Sequence, residues 1–155
     1  MKKELDEALV KDFPLTFSRE AHGREPWSMF GFECDDGWEP SIRKAAEKLE
    51  VLFQEAIKKD PEGYEAGYYR TSQLKEKFGT GRWYLSGGTD EMQDLVEAWE
   101  EETYKICMTC GEPGIVRGGG WLYNSCIKHA KPGDVDNLAE ILEKAVEEKE
   151  RANDK

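Results

Sequence analysis

Apolar residues recur at intervals of three and four in several stretches of the chain and switch to alternation in another. After Pro40, Ile42, Ala45, Ala46, Leu49, Leu52, Phe53 and Ala56 form one such stripe, which predicts an amphipathic helix of about five turns. Proline is well placed as a first helical residue, because the N–H it lacks would have no helical partner there. Lys58 and Lys59 favour the negative end of that helix, and Asp60-Pro61-Glu62-Gly63 breaks it. A shorter helix is predicted over residues 5–13, ended by Pro14. Another begins behind Thr89, whose hydroxyl can cap the first turn, with Asp90 and Glu91 following and Met92, Leu95, Val96 and Trp99 as its buried stripe. A last helix is predicted over residues 134–150, with Leu138, Ile141, Leu142, Ala145 and Val146 on one side. Residues 151–155 follow as a solvated tail.

Over residues 64–78 the period changes to two: Tyr68, Arg70, Ser72 and Leu74 alternate with Tyr69, Thr71, Gln73 and Lys75, which predicts a strand. Gly79-Thr80-Gly81 is a turn, and residues 82–86 return as the second strand of a hairpin that Gly87-Gly88 ends. Residues 22–40 interleave glycines and prolines with Trp27, Met29, Phe30, Phe32 and Trp38, an irregular segment too aromatic for a linker. The expectation is one α+β domain spanning residues 1–155: a small antiparallel sheet or hairpin flanked by amphipathic helices, a cysteine-bearing segment over residues 104–131, and a C-terminal helix. The length of 155 residues suits a single core.

Composition refines this picture. A net charge of -11 would suit a disordered acidic chain, but six Phe, six Tyr and five Trp supply enough apolar surface to fold. No apolar run approaches the ~18–20 residues a membrane span needs, and the first residues lead into no signal-peptide core, so a cytoplasmic protein is expected. The charge also opposes non-specific nucleic-acid binding, which depends on Lys and Arg displacing counterions from phosphates. It is unevenly placed. Residues 1–39 carry -5, 89–103 carry -7 and 134–155 carry -4, whereas 40–88 carry +2 and 104–133 carry +3. An anionic ligand belongs on the two positive segments.

The sharpest chemical signal is Cys107-Met108-Thr109-Cys110 followed after fifteen residues by Cys126-Ile127-Lys128-His129. The spacing C-x2-C-x15-C-x2-H matches a structural zinc site, in which thiolates and an imidazole close a tetrahedron. Cys110-Gly111 supplies the tight turn of a zinc knuckle. Residues 114–117 and 121–123 can form a short hairpin around Gly118-Gly119-Gly120. Disulfides would need an oxidising compartment, and a redox dithiol would leave Cys126 and His129 unexplained. A catalytic zinc keeps a position open for water, whereas three Cys and one His fill all four. Cys34 stands outside the pattern as a small buried hydrophobe.

Several motifs together carry a resemblance: residues 30–38 (FGFECDDGW), 75–84 (KEKFGTGRWY), Cys107-x-x-Cys110-Gly111-x-Pro113-Gly114, Gly119-Gly120-Trp121-Leu122 and Cys126-x-x-His129-Ala130. In that order they resemble a widespread family of small uncharacterised proteins encoded by bacteriophages and prophages, over roughly residues 26–130. That family commonly has Gly where this chain has Asp35 and a large apolar residue where it has Gly81. The resemblance implies a phage accessory protein with a zinc knuckle, acting in the cytoplasm of an infected bacterium. It implies no reaction.

Three further groups are candidate sites. Lys75 and Lys77 should project from one face of the hairpin with Arg82 beside them, able to hold an anion, while Tyr68, Tyr69, Trp83 and Tyr84 could stack on a base. Arg117 and Trp121, flanking Gly118-Gly119-Gly120 near Lys128, could anchor a partner. Each group has a structural alternative: a solvated strand face for the first, a cover over the knuckle for the second. Glu33, Asp35 and Asp36 could bind a divalent cation or cap neighbouring helices, and with Lys75 they faintly resemble a metal-dependent nuclease. His22 has no catalytic partner in any recognisable motif. The reading is therefore a non-enzymatic protein that binds a host factor or a small anionic, nucleotide-like ligand, to counter a bacterial defence. A second version uses the acids of residues 90–102 against a basic partner, and the enzymatic alternative is a hydrolase or nuclease built on Glu33, Asp36 and Lys75.

Overall fold

The computed structural model describes residues 1–18 and 31–134, together with Leu142 and Val146. His22, Trp27, Met29, Phe30, most of the helix expected over 134–150 and the tail lie outside the described residues. Four helices are present among them: α1 (Lys3–Asp12), α2 (Glu39–Lys59), α3 (Pro61–Glu65) and α4 (Asp90–Thr103). They surround a three-stranded sheet of β1 (Phe32–Glu33), β2 (Arg70–Lys77) and β3 (Thr80–Ser86), and a two-stranded ribbon of β4 (Ile115–Arg117) and β5 (Tyr123–Ser125) lies beyond α4 in sequence. The architecture is α+β, as the alternation of periods predicts. No helix among the described residues is long and apolar enough to cross a membrane.

The expected stripes become the core. Ile42, Ala45, Ala46, Leu49 and Phe53 of α2 and Met92, Val96 and Trp99 of α4 are buried against Leu74 and Trp83 of the sheet. Trp99 packs edge-on against both Trp38 and Trp83. Its indole N–H reaches the Ser41 hydroxyl at 3.0 Å, so its polar edge is satisfied inside the core. Glu50 is a buried carboxylate that accepts from the Leu15 and Thr16 N–H groups and the Thr16 hydroxyl, tying the turn after α1 to α2. Thr89 caps α4 as expected.

Three elements differ from expectation. The sheet is mixed: β1 joins β2 in parallel, with Phe32 beside Leu74 and Glu33 beside Lys75. A parallel pair needs a long crossover, which α2 and α3 supply. The first strand of the hairpin starts at Arg70, not at residue 64, because Asp60 and Pro61 open a further helical turn. The Asp60 carboxylate caps it by accepting from the Gly63 N–H at 3.0 Å. The hairpin turn falls on Phe78-Gly79, so that Lys77 pairs with Thr80 and β3 begins there. Both turn residues have positive φ, 56° and 81°, the pattern of a two-residue turn that follows the twist of its strands. For phenylalanine that conformation costs roughly 1–2 kcal/mol.

Helix α4 also closes the outer edge of the sheet. The Trp83 N–H donates to Glu100 Oε1 at 2.7 Å and the Gly81 N–H to the Thr103 hydroxyl at 2.7 Å, so edge-strand donors are satisfied by a helix. A Cβ at Gly81 would lie 2.5 Å from the Trp99 ring, which leaves no space for a large apolar residue at that position.

Candidate metal centre

Residues after α4 turn back on themselves to bring four soft donors together. The Gly111 N–H closes the turn on the Cys107 carbonyl at 3.0 Å, with Gly111 at φ +80°. The β4–β5 ribbon then returns the chain to Cys126, and a single 3-10 turn, Ile127–His129, presents the imidazole. Sγ of Cys107, Cys110 and Cys126 and a ring nitrogen of His129 all lie within 4.8 Å of one another. Cys110 Sγ is 3.7 Å from Cys126 Sγ, and His129 Nδ1 is 3.7 Å from Cys107 Sγ and 3.2 Å from Cys126 Sγ. A tetrahedral ion with metal–sulfur bonds near 2.3 Å places its sulfurs about 3.8 Å apart and sulfur and nitrogen about 3.6 Å apart. The four donors form such a cage within about 1 Å, so they can hold a metal ion. Among the described residues no other His, Cys, Asp or Glu cluster has that form.

The environment prepares the thiols unequally. Burial pushes the Cys107 thiol up, but N–H groups of Cys126, Cys110 and Thr109 aim at it and bring it down to about 6. Cys110 is held by the Glu112 N–H, yet burial and the adjacent Cys107 and Cys126 leave it raised. Cys34, away from this cage, is pushed up to about 12 by burial.

The metal segment is docked on the helices rather than hung from them. The Gly37 N–H donates to Met108 O at 2.8 Å, and Trp38 Nε1 donates to Ile106 O at 3.1 Å. Buried Asn124 gives both its amide protons to α4's end, at Thr103 O and Tyr104 O. Thr103 O also accepts from the Ile106 N–H at 3.3 Å, and with both carbonyls at the helix terminus one side chain of β5 caps α4. Sequence reasoning missed Gly37 and Asn124. For Gly37 the signal was its place beside Trp38 at the start of a helix, where a Cβ would now lie 2.3 Å from Cys107 O.

The other candidate residues divide. Lys75 and Lys77 line one groove of about 260 Å³ together with Glu76, Phe78, Gly120, Trp121 and Leu122. Neither lysine forms an ion pair among the described residues, whereas Glu76 accepts from the Gly79 N–H at 2.6 Å and is held in the turn. Arg82 pairs with Lys75 across the strands, as the spacing implies, but its Nη1 bonds Thr80 Oγ1 and Gly81 O. Tyr84 stands exposed opposite Gln73. Trp83 is buried, with its indole on the Thr71 hydroxyl, and Arg117 is buried against Ser125, so both stabilise the fold and neither lines the groove of Lys75 and Lys77. Tyr68 and Tyr69 sit at the far end of the hairpin, where Tyr69 donates to Asp60. Among the acids, Glu33 accepts from Gln73, and Asp36 accepts from the Lys2 N–H and pairs with its ammonium at 3.6 Å. Glu33 and Asp36 thus serve different elements.

No family model, curated protein or solved structure matches the chain.

Proposed function

We propose that this is a non-catalytic binding protein whose Cys107, Cys110, Cys126 and His129 hold a structural zinc ion, and whose hairpin and knuckle together bind a small anion. Zinc suits three thiolates and one imidazole, and four protein ligands leave no coordination position for a reacting water. The observation that carries the reading is the groove itself. Two ammonium groups with no carboxylate partner among the described residues sit where the hairpin tip meets the metal-bearing segment, in a molecule whose net charge is -11. A local positive field on an acidic protein favours a compact anion over a polyanion, which the rest of the surface repels. The resemblance to phage-encoded proteins supplies a setting, the cytoplasm of an infected bacterium, in which sequestering an anionic signal would counter a defence. The enzymatic alternative is weakened by Asp36, which faces Lys2 and not Lys75.

Calorimetric titration of the full chain with pyrophosphate tests this. Lys75→Glu combined with Lys77→Glu should weaken binding at least tenfold and leave the melting temperature within a few degrees, since both side chains reach solvent. Unchanged affinity in the double variant removes the groove from the reading. A surviving interaction with a basic host protein would move it to the exposed acids of α4.

A further inference from the structure

The groove contains two largely exposed aromatic side chains. Phe78 occupies a turn position with φ of 56°, where glycine or asparagine is the unstrained choice, and it is 64% exposed. It is strained and largely exposed at once. Trp121 is 75% exposed, although Trp38, Trp83 and Trp99 are buried. Beside it, Gly119 and Gly120 have no positive φ, and a Cβ at either would meet nothing within 4 Å. Neither backbone conformation nor crowding explains these two glycines, unlike Gly118 at φ 95° before them. Strain kept without a structural return points to function, and glycine without a structural reason points to close approach by something outside the chain.

These features converge on one place. Gly79 rests against the backbone of Tyr123, where a Cβ would be 3.0 Å from its carbonyl carbon, so the hairpin tip is seated on the ribbon that carries Trp121 in its loop. Phe78, Gly120 and Trp121 line the same groove as the two lysines, and Lys77 Nζ lies 5.5 Å from the centre of the Phe78 ring. At about 260 Å³ the groove is smaller than the pockets of roughly 300–1,000 Å³ that enclose whole drug-sized ligands. A groove of that size grips a ligand along one side, at a ring and a charged group, without enclosing the whole of it.

Building on the anion reading above, we propose that the groove is a mononucleotide site. Phe78 and Trp121 stack on the base, the Gly120 backbone admits its edge, and Lys75 and Lys77 take the phosphate. Aromatic stacking is available to every base, and the loss of one stacking partner corresponds to about fivefold or more in affinity.

The test uses the full chain and four probes: AMP, adenosine, ribose 5-phosphate and a single-stranded oligo(dA), titrated at 0.15 M salt and read by calorimetry and tryptophan fluorescence. AMP should bind at least tenfold tighter than either adenosine or ribose 5-phosphate and should change a fluorescence component that Trp121→Ala removes. Phe78→Gly should weaken AMP about fivefold or more while the melting temperature stays the same or rises, because glycine relieves the turn. Four results overturn the proposal. Ribose 5-phosphate binding as tightly as AMP removes the ring contacts and leaves the anion reading standing. A lowered melting temperature in Phe78→Gly assigns that ring to folding. Oligo(dA) binding more tightly than AMP replaces the free nucleotide by a nucleic-acid strand. Failure of AMP and ribose 5-phosphate here and of pyrophosphate in the titration above ends both the nucleotide site and the anion reading.

Discussion

Cys34 and Cys107 are both buried, and their surroundings send them in opposite directions. Burial raises the Cys34 thiol to about 12, against a small pull from the N-terminal ammonium and with Asp35, Asp36 and Asp6 adding to the rise. At Cys107 the same desolvation is outweighed by N–H groups that favour a thiolate, and it sits near 6. A free thiol kept protonated by its site is chemically inert, whereas thiolates gathered beside an imidazole are metal ligands. Cys34 should therefore resist iodoacetamide at pH 8 in the folded protein and react fully once the chain is unfolded, a difference that peptide mass spectrometry reads directly. Labelling in the folded state at the rate of a free thiol would contradict the assignment. The same shift has a definite sign for stability. The folded thiol holds its proton up to about 12 against an ordinary value of 9.0, so its contribution is intact below pH 9 and is lost as pH rises from there toward 12.

Between elements, the metal segment is fixed at two helix ends. Gly37, just ahead of α2, lies under the Cys107–Met108 backbone, and Asn124 of β5 covers the last carbonyls of α4. Gly37→Ala would force a methyl group against two backbone carbonyls that cannot rotate away. It should cost about 2 kcal/mol or more in denaturant unfolding and weaken metal retention in the same variant, because the contact strained is the one that seats Cys107. A Gly37→Ala protein with unchanged stability would show that the segment is not docked there. Much of this level was legible in the sequence. Stripes of period 3.6 revealed α2 and α4 because each helix buries one face, and the four metal donors were legible because knuckle ligands come in short local pairs. Strand β1 was not, since two residues carry no period and its place is set by Phe32 packing beside Leu74. Helix α3 was signalled by Asp60-Pro61, yet the alternating tyrosines after it favoured an extended reading. The groove was legible only in part. Lys75 and Lys77 follow from strand spacing, but Phe78 meets the loop at residues 120–122 through the contact of Gly79 with Tyr123, 44 residues further along the chain, which no local pattern encodes.

At the scale of the whole molecule, the charge of -11 is a sum over regions that differ in sign, and the proposed anion site lies in the exception. A divalent ion bound by three thiolates changes the local charge by only one unit, so the metal leaves the groove's field nearly as the lysines set it. The larger effect of such an ion would be on folding. The segment from Cys107 to His129 contributes to the core chiefly through Cys107, Cys126, Arg117, Asn124 and Ser125, with little apolar burial of its own. Closed zinc sites supply folding energy to segments of this kind. Native mass spectrometry of the full chain purified without added metal puts that claim to a single test. The account predicts one zinc ion per chain on a narrow, low charge-state distribution, with zinc-stripped protein shifting to broader and higher charge states. A metal-free chain that keeps the narrow distribution would contradict it.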